Sequence, residues 1–164
     1  MTGTDTGHKA TIHTIGYLQA APAAFMAELQ EAGVELVIDV RAAPVSRKPG
    51  FAKTRLSAWL DEHDIAYLHL KGLGTPKEGR DAAKAGRVDE FRDIFDAHMK
   101  TDNAQADLAE ARRLCAESSA CLLCCEADPT HCHRTIVAQM LAESDGFEIN
   151  HLRPYARGDL LENV

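Results

Sequence analysis

Three of the five cysteines in this sequence fall within nine residues, among side chains that can change their reactivity. The stretch 120–134 reads ACLLCCEADPTHCHR: a short apolar run, a turn, and the start of an amphipathic helix. If Asp128 caps that helix, Cys132 lies in its first turns, where the helix dipole lowers a thiol pKa. His133 and Arg134 add positive charge nearby. The pattern predicts a nucleophilic or redox cysteine at Cys132, and an anion site built from backbone N–H groups and Arg134.

The same residues allow a structural interpretation. Arg134 can pair with Glu126 or Asp39 and simply fix the turn. In the functional interpretation, Glu126 or Asp39 is the acid or base, and His133 and Arg134 contact the ligand. Both interpretations fit the sequence.

Metal binding is a further alternative for this stretch. Cys124 and Cys132 offer thiolates, and a histidine at 131 or 133 with Cys125 or Glu126 would complete four ligands. Zinc sites usually present closer pairs, such as two cysteines separated by two residues, so we assign no metal ligand.

Two families of sulfur enzymes offer comparisons. A cysteine phosphatase needs an arginine six residues after its nucleophile, but residue 131 follows Cys125 at that distance and Ala138 follows Cys132. A rhodanese has a similar early strand and a cysteine at the end of a late strand. The turn before Arg134 is longer than its loop, so a sulfurtransferase stays as one alternative.

The elements that position these residues alternate between strands and helices. Apolar, β-branched runs predict strands over residues 11–16, 34–40, 66–70, 120–124 and 147–152. Helical spacing and caps predict helices over 22–32, 53–63, 103–117 and 129–145, and two more on either side of Gly86, with loops over 41–52 and 71–80. This alternation predicts a single-domain α/β three-layer sandwich, with a mostly parallel sheet of about five strands and helices on both faces.

Unusual residues follow three of the predicted strands. In a doubly wound sheet, ligands bind beyond the carboxyl ends of the strands, where the strand order reverses. If the order is 3-2-1-4-5, strands one and four are neighbours at that point. Gly16 and Tyr17, Asp39 and Arg41, and Cys124 would then converge on one cleft. Asp39 and Arg41 point the same way in an extended segment, so Arg41 either takes an anion or forms a satisfied salt bridge with Asp39.

The charge distribution restricts the partners. A net charge of −7 argues against nonspecific nucleic-acid binding by the whole surface. Residues 41–60 nevertheless carry five basic side chains and no acid. We therefore expect a small anionic ligand and keep nucleic acid as an alternative, beside a simple solvated surface.

Length and composition predict one domain, because 164 residues with 45% hydrophobic content can close a single core. We find no run of membrane-spanning length and no secretory signal, which predicts a cytoplasmic protein with no membrane partner. An odd number of cysteines, three of them at one turn, indicates reduced thiols. We expect a disordered segment over 1–10, the domain over 11–152, and a tail over 153–164. The sequence indicates neither a cofactor nor an oligomeric state.

Together these motifs resemble the DUF488 family over about residues 11–152. The resemblance rests on four blocks: Thr14-Ile15-Gly16-Tyr17; Asp39-Val40-Arg41 with Pro44, Ser46 and Pro49-Gly50-Phe51; Tyr67-Leu68-His69-Leu70 with Leu73-Gly74; and Cys124-x-Glu126 with Cys132-His133-Arg134. Many relatives have histidine in place of Tyr17 and a second glycine in place of Thr75. The resemblance implies a compact α/β domain whose cysteines are functionally important, and it leaves the reaction open.

The sequence thus gives one leading hypothesis and two alternatives. The leading one is an enzyme on a small anionic or nucleotide-like substrate, with Arg41 and Arg134 on the anion and Cys132 or Cys124 as the reactive thiol. The alternatives are a ligand- or nucleic-acid-binding module without turnover, and a metal-binding or thiol redox domain.

Overall fold

The structure is a computed structural model that describes residues 10–154. These residues form five strands, β1 (Thr11–Gly16), β2 (Leu36–Asp39), β3 (Ala66–His69), β4 (Ala120–Cys124) and β5 (Glu148–His151). Six α-helices accompany them: α1 (Pro22–Glu31), α2 (Lys53–Glu62), α3 (Lys77–Lys84), α4 (Val88–Met99), α5 (Asp102–Glu117) and α6 (His133–Asp145). Nearly all of the expected N-terminal segment and C-terminal tail lies outside the described residues.

All five strands are parallel, which confirms the predicted α/β fold with its parallel sheet. The strand order, however, is β3-β2-β4-β1-β5, so the predicted order 3-2-1-4-5 was wrong. Strands β1 and β4 are neighbours as expected, but β4 also separates β1 from β2. The strand ACLLC is apolar and buried throughout. Such a strand buries the most apolar surface at the centre of a sheet that is covered on both faces.

Helices cover both faces of the sheet, each over its own apolar core. On one face, Phe25, Met26 and Leu29 of α1 and Leu56 and Leu60 of α2 pack on alternate residues of the strands. On the other face, side chains of α4, α5 and α6 pack on the intervening strand residues. This division follows from the two-residue period of a strand, which sends successive side chains to opposite faces.

Two local predictions needed correction. Residues 71–80 are not one loop: a 3-10 turn spans Lys71–Leu73, and α3 begins at Lys77. Gly79 lets α3 pack closely against Thr75, because a Cβ at position 79 would lie 2.6 Å from Cγ2 of Thr75. Within the described residues, no helix is both long enough and apolar enough to cross a membrane.

The second correction concerns the helix after β4. Asp128 caps only a 3-10 turn, Pro129–His131, by accepting from the backbone N–H of Thr130. Cys132 is extended and forms the N-cap position of α6, which begins at His133. Cys132 therefore lies at the boundary of the helix and not inside its first turns. The partial positive charge of the helix start still faces it.

Candidate functional site

A cavity of about 420 Å³ opens beyond the carboxyl ends of β1, β2 and β4. Because β4 lies between the other two strands, Cys124 at its end is paired in register with Gly16 of β1. Six of the nine residues proposed from the sequence line the cavity: Tyr17, Arg41, Cys124, Glu126, Cys132 and His133. The remaining three, Gly16, Asp39 and Arg134, are buried behind this wall.

Asp39 and Arg41 form a buried ion pair. The carboxylate accepts from Nε of Arg41 at 2.9 Å and from Nη2 at 2.7 Å, while the backbone N–H of Arg41 donates to it at 3.1 Å. Tyr67 donates its hydroxyl proton to the same carboxylate, and burial, followed by this bond, raises the pKa of Tyr67. The geometry is that of an orienting pair, in which each charge neutralises the other.

Arg41 also holds the cavity wall together. Its Nη1 donates to the Tyr17 hydroxyl at 3.0 Å and to the Phe51 carbonyl at 2.7 Å, so four of its five N–H donors are engaged within the protein. Tyr17 and Phe51 stack with ring centroids 4.5 Å apart. Nε2 of His69 donates to the Arg41 carbonyl at 2.7 Å.

Arg134 supports the turn that follows β4. Its Nη1 donates to the Glu126 carbonyl, and its Nη2 lies 3.4 Å from the Ala127 carbonyl. Gly16 makes room for this arrangement, because a Cβ there would lie 1.8 Å from the Glu126 carbonyl oxygen. The side chain of Arg134 is fully buried, so this arginine shapes the site from within.

Glu126 itself faces the cavity and is half-buried. Its carboxylate accepts from the backbone N–H of Asp128 at 3.4 Å, a long contact that leaves the group accessible to a ligand. Arg134 therefore contacts the backbone of Glu126, whereas the carboxylate of Glu126 remains in the cavity wall.

The imidazole of His133 is fixed in one tautomer. Its Nε2 lies 2.8 Å from the Val40 carbonyl oxygen, which can only accept, so Nε2 carries the proton. In the neutral ring Nδ1 is then the acceptor, and it lies 3.7 Å from the Sγ of Cys124. The Sγ of Cys132 belongs to the same cluster, in which the ligand atoms of Cys124, Cys132 and His133 lie within 4.8 Å of one another. A proton acceptor consequently faces two thiols at the cavity wall.

The environment separates the acidities of the clustered thiols. The hydrogen bond from Cys124 is the main cause that holds the pKa of Cys132 well below the ordinary range; burial opposes it, and His133 and Arg134 assist it. The bond from Cys124 likewise lowers the pKa of Cys125 to about 7. Cys124 has a single S–H, and its interactions with these two sulfurs, followed by burial, raise the pKa of Cys124 well above its usual value. The environment therefore favours ionisation of Cys132 over ionisation of Cys124.

The pKa of His133 depends in turn on Cys132. Burial alone would lower the pKa of His133, but the hydrogen bond and negative charge of Cys132 raise it overall. By contrast, burial raises the pKa of Cys115 on α5 to about 12, and burial also raises the pKa of Cys121 inside β4. Both cysteines belong to the buried core.

A metal ion would find three ligand atoms in the same place. Those of Cys124, Cys132 and His133 lie within 4.8 Å of one another, and all three residues are buried. Thiolate and imidazole are the donors that zinc and other soft metals prefer. A closed structural zinc site requires a fourth protein ligand, so this group would leave one position open toward the cavity.

Sequence reasoning did not identify the other walls of the cavity. They comprise Leu18, Ala42, Ala43, Val45, Thr75, Arg80, Ala83, Lys84, Cys125 and Phe91. Cys125 had entered only as an alternative metal ligand. Arg80 and Lys84 belonged to no motif, and the sequence predicted only a loop over residues 71–80.

Fold and site therefore define an α/β protein with an all-parallel sheet and a cysteine–histidine cluster at the carboxyl edge of that sheet. The family model described as "Domain of unknown function DUF488" matches residues 21–141. The chain belongs to the DUF488 family, which confirms the resemblance seen in its motifs. Among curated proteins, and likewise among solved structures, no significant match was found.

Proposed function

We propose that the protein is a cysteine-dependent enzyme that acts on a small anionic substrate in the 420 Å³ cavity. Cys132 is the nucleophile and His133 is the base that accepts its proton. The observation that carries the proposal is the bond from His133 Nε2 to the Val40 carbonyl, because it leaves Nδ1 as an acceptor 3.7 Å from Cys124, in the same 4.8 Å cluster as Cys132. A thiol beside a properly oriented base is the usual arrangement of a catalytic cysteine.

The chemistry begins with transfer of the Cys132 proton to His133, which gives a thiolate and an imidazolium. The thiolate attacks an electrophilic atom of the substrate, and a bond from Sγ to that atom forms as the bond to the leaving group breaks. The leaving group departs with the electron pair and takes the proton from His133. An acceptor nucleophile, such as water, then displaces the thiolate and returns its own proton to His133.

The remaining residues support this reaction in different ways. Glu126 is the further acid or base, since its carboxylate lines the cavity with Cys132. Asp39 orients Arg41, and Arg41 in turn holds Tyr17 at the wall. All five cysteines are free thiols, which fits a reducing compartment, and we place the protein in the cytoplasm.

Alkylation followed by peptide mapping tests the proposal. Iodoacetamide at neutral pH should label Cys132 much faster than Cys115, which serves as the matched buried control with a raised pKa. The variant C132S should lose the label and any turnover, while C115S should keep both. Labelling of Cys132 no faster than that of a cysteine in the unfolded chain would contradict the proposal.

A bound soft metal is the second candidate, favoured by the three ligand atoms within 4.8 Å of one another. Elemental analysis of protein purified without chelator separates the two. Stoichiometric metal that is lost in C124A and kept in C115S would support the metal site over the free thiolate. In the sulfurtransferase alternative, the same Cys132 thiolate would instead accept a sulfur atom from a donor.

A further inference from the structure

The lining of the cavity combines two chemically different groups of side chains. Leu18 and Val45 line it and are 50% and 71% exposed. Only one other large hydrophobic residue in the described part of the chain is exposed to this extent, Val88. Arg80 and Lys84 from α3 line the same cavity. Apolar and cationic side chains therefore line one cavity.

The two cations have no carboxylate partner within the 4.0 Å ion-pair distance among residues 10–154. Arg80 donates through Nη1 to the Thr75 carbonyl at 2.8 Å, which fixes its guanidinium without neutralising it. The nearby Asp81 is hydrogen-bonded to Lys77 at 3.0 Å, although it also feels the charges of Lys84 and Arg80. The carboxylate in the cavity lining is that of Glu126, on β4's side of the opening.

Thr75 adds an unused polar group beside Arg80. Its side chain is only 3% exposed, and Oγ1 has no hydrogen-bond partner. Burying a hydroxyl without a partner is energetically costly, so such a group marks a place where a ligand or water can complete the bonding. Among the described residues that line this cavity, Thr75 is the only one with such an atom.

We infer that Thr75, Arg80 and Lys84 form an anion subsite, and that the substrate is a small organic anion with an apolar body. Its anionic group binds Arg80 and Lys84, and its apolar body packs against Leu18 and Val45. This orientation brings its reactive atom to Cys132 in the same cavity. The inference names the substrate class of the proposed enzyme and rests on that proposal for its reactive end. It also moves the anion from Arg41, four of whose donors are engaged within the protein, and from the fully buried Arg134, to α3.

Binding of phenyl phosphate tests the subsite without any thiol chemistry. This probe should raise the midpoint of thermal unfolding, and it should do so equally in C132S, because binding needs no nucleophile. Each of R80Q and K84Q should weaken binding by about three- to tenfold through loss of one charge. The matched control K77Q removes a cation of the same helix that does not line the cavity, and should leave binding unchanged.

Two outcomes would overturn the inference. One is phenyl phosphate binding that is absent, or that is equal in R80Q, K84Q and the native protein. The other is equally tight binding of inorganic phosphate, which would remove the role of the apolar body. K84Q keeps the test decisive if R80Q unfolds, since Lys84 is exposed.

Alkylation by a charged and a neutral reagent relates the subsite to Cys132. In a C125S background, the ratio of the iodoacetate rate to the iodoacetamide rate should fall about three- to tenfold in K84Q and stay constant in K77Q. High salt should reduce the native ratio as well. If Cys132 reacts rapidly but the ratio of the two rates is the same in R80Q, K84Q and the native protein, the subsite is wrong and the proposed function stands. If Cys132 is inert while phenyl phosphate binds as expected, the proposed function is wrong and the subsite stands.

Discussion

Asp39→Asn removes one charge from the buried ion pair while nearly preserving the size of the side chain. The native carboxylate accepts three hydrogen bonds from Arg41, and the two side chains are 0% and 5% exposed. The asparagine amide presents N–H groups where Arg41 also presents donors, and the guanidinium is left as an uncompensated buried charge. Breaking a buried pair in this way costs about 3–5 kcal/mol. For a domain of this size, each kcal/mol lowers Tm by about 2–4 °C.

Urea unfolding followed by circular dichroism measures this cost directly. The matched control is D81N, which breaks the exposed pair with Lys77 and should leave the unfolding midpoint unchanged. A loss of less than about 1 kcal/mol in D39N would refute the view that this pair carries the wall of the cavity. The folded fraction of D39N should still alkylate rapidly at Cys132. Loss of that reactivity in folded protein would make Asp39 a participant in the chemistry.

Two further variants probe the packing behind the cavity. G16A should lower the free energy of unfolding by about 3 kcal/mol or more, because its Cβ would overlap the Glu126 carbonyl oxygen. G33A has open space around the new Cβ but a φ of +72°, and it should lower the free energy of unfolding by about 1–2 kcal/mol. Equal urea midpoints for these two variants would contradict the close contact. R134M should cost about 2–6 kcal/mol by leaving two backbone carbonyls without a donor, whereas R92M on the surface should leave the midpoint unchanged. An R134M protein as stable as R92M would show that the turn holds without its arginine.

The sequence predicted the fold class because local patterns determine it. Each of the five strands appeared as an apolar or β-branched run, and the alternation with helices required parallel pairing. The strand order could not be obtained from such patterns. The position of β4 between β1 and β2 depends on how the strands pack across the whole sheet. The only sign of a central position in residues 120–124 is that they are all apolar.

The same limit applies to the start of α6. Asp128 and Pro129 are typical of a helix N-terminus, and they do begin a helical turn. That turn ends at residue 131, and Cys132 returns to extended backbone before α6 begins. Choosing between one helix and a turn followed by a helix depends on tertiary contacts of His133 with Val40, which lie far apart in sequence.

The site was predictable where it is local and unpredictable where it is not. The cluster of Cys124, Cys132 and His133 sits on one strand–turn–helix, so composition and spacing pointed to it. Arg80 and Lys84 reach the cavity from α3, and nothing in their spacing relates them to the thiols. The sequence offered the salt bridge between Asp39 and Arg41 as one alternative, but it did not indicate that Arg41 would also bond Tyr17 and Phe51.

The most direct test of a His133-supported thiolate is the pH dependence of alkylation at Cys132, in a C125S background freed of metal by a chelator. A thiol with a lowered pKa stays ionised as pH falls, so the rate should stay at its plateau well below the ordinary cysteine pKa of about 8.5. H133Q should move the midpoint of this pH profile upward, because no imidazolium is left to stabilise the thiolate. The control H13Q changes a histidine of β1 outside the cavity lining and should leave the midpoint unchanged. A native midpoint near the ordinary value, or one that H133Q leaves unchanged, would contradict the account.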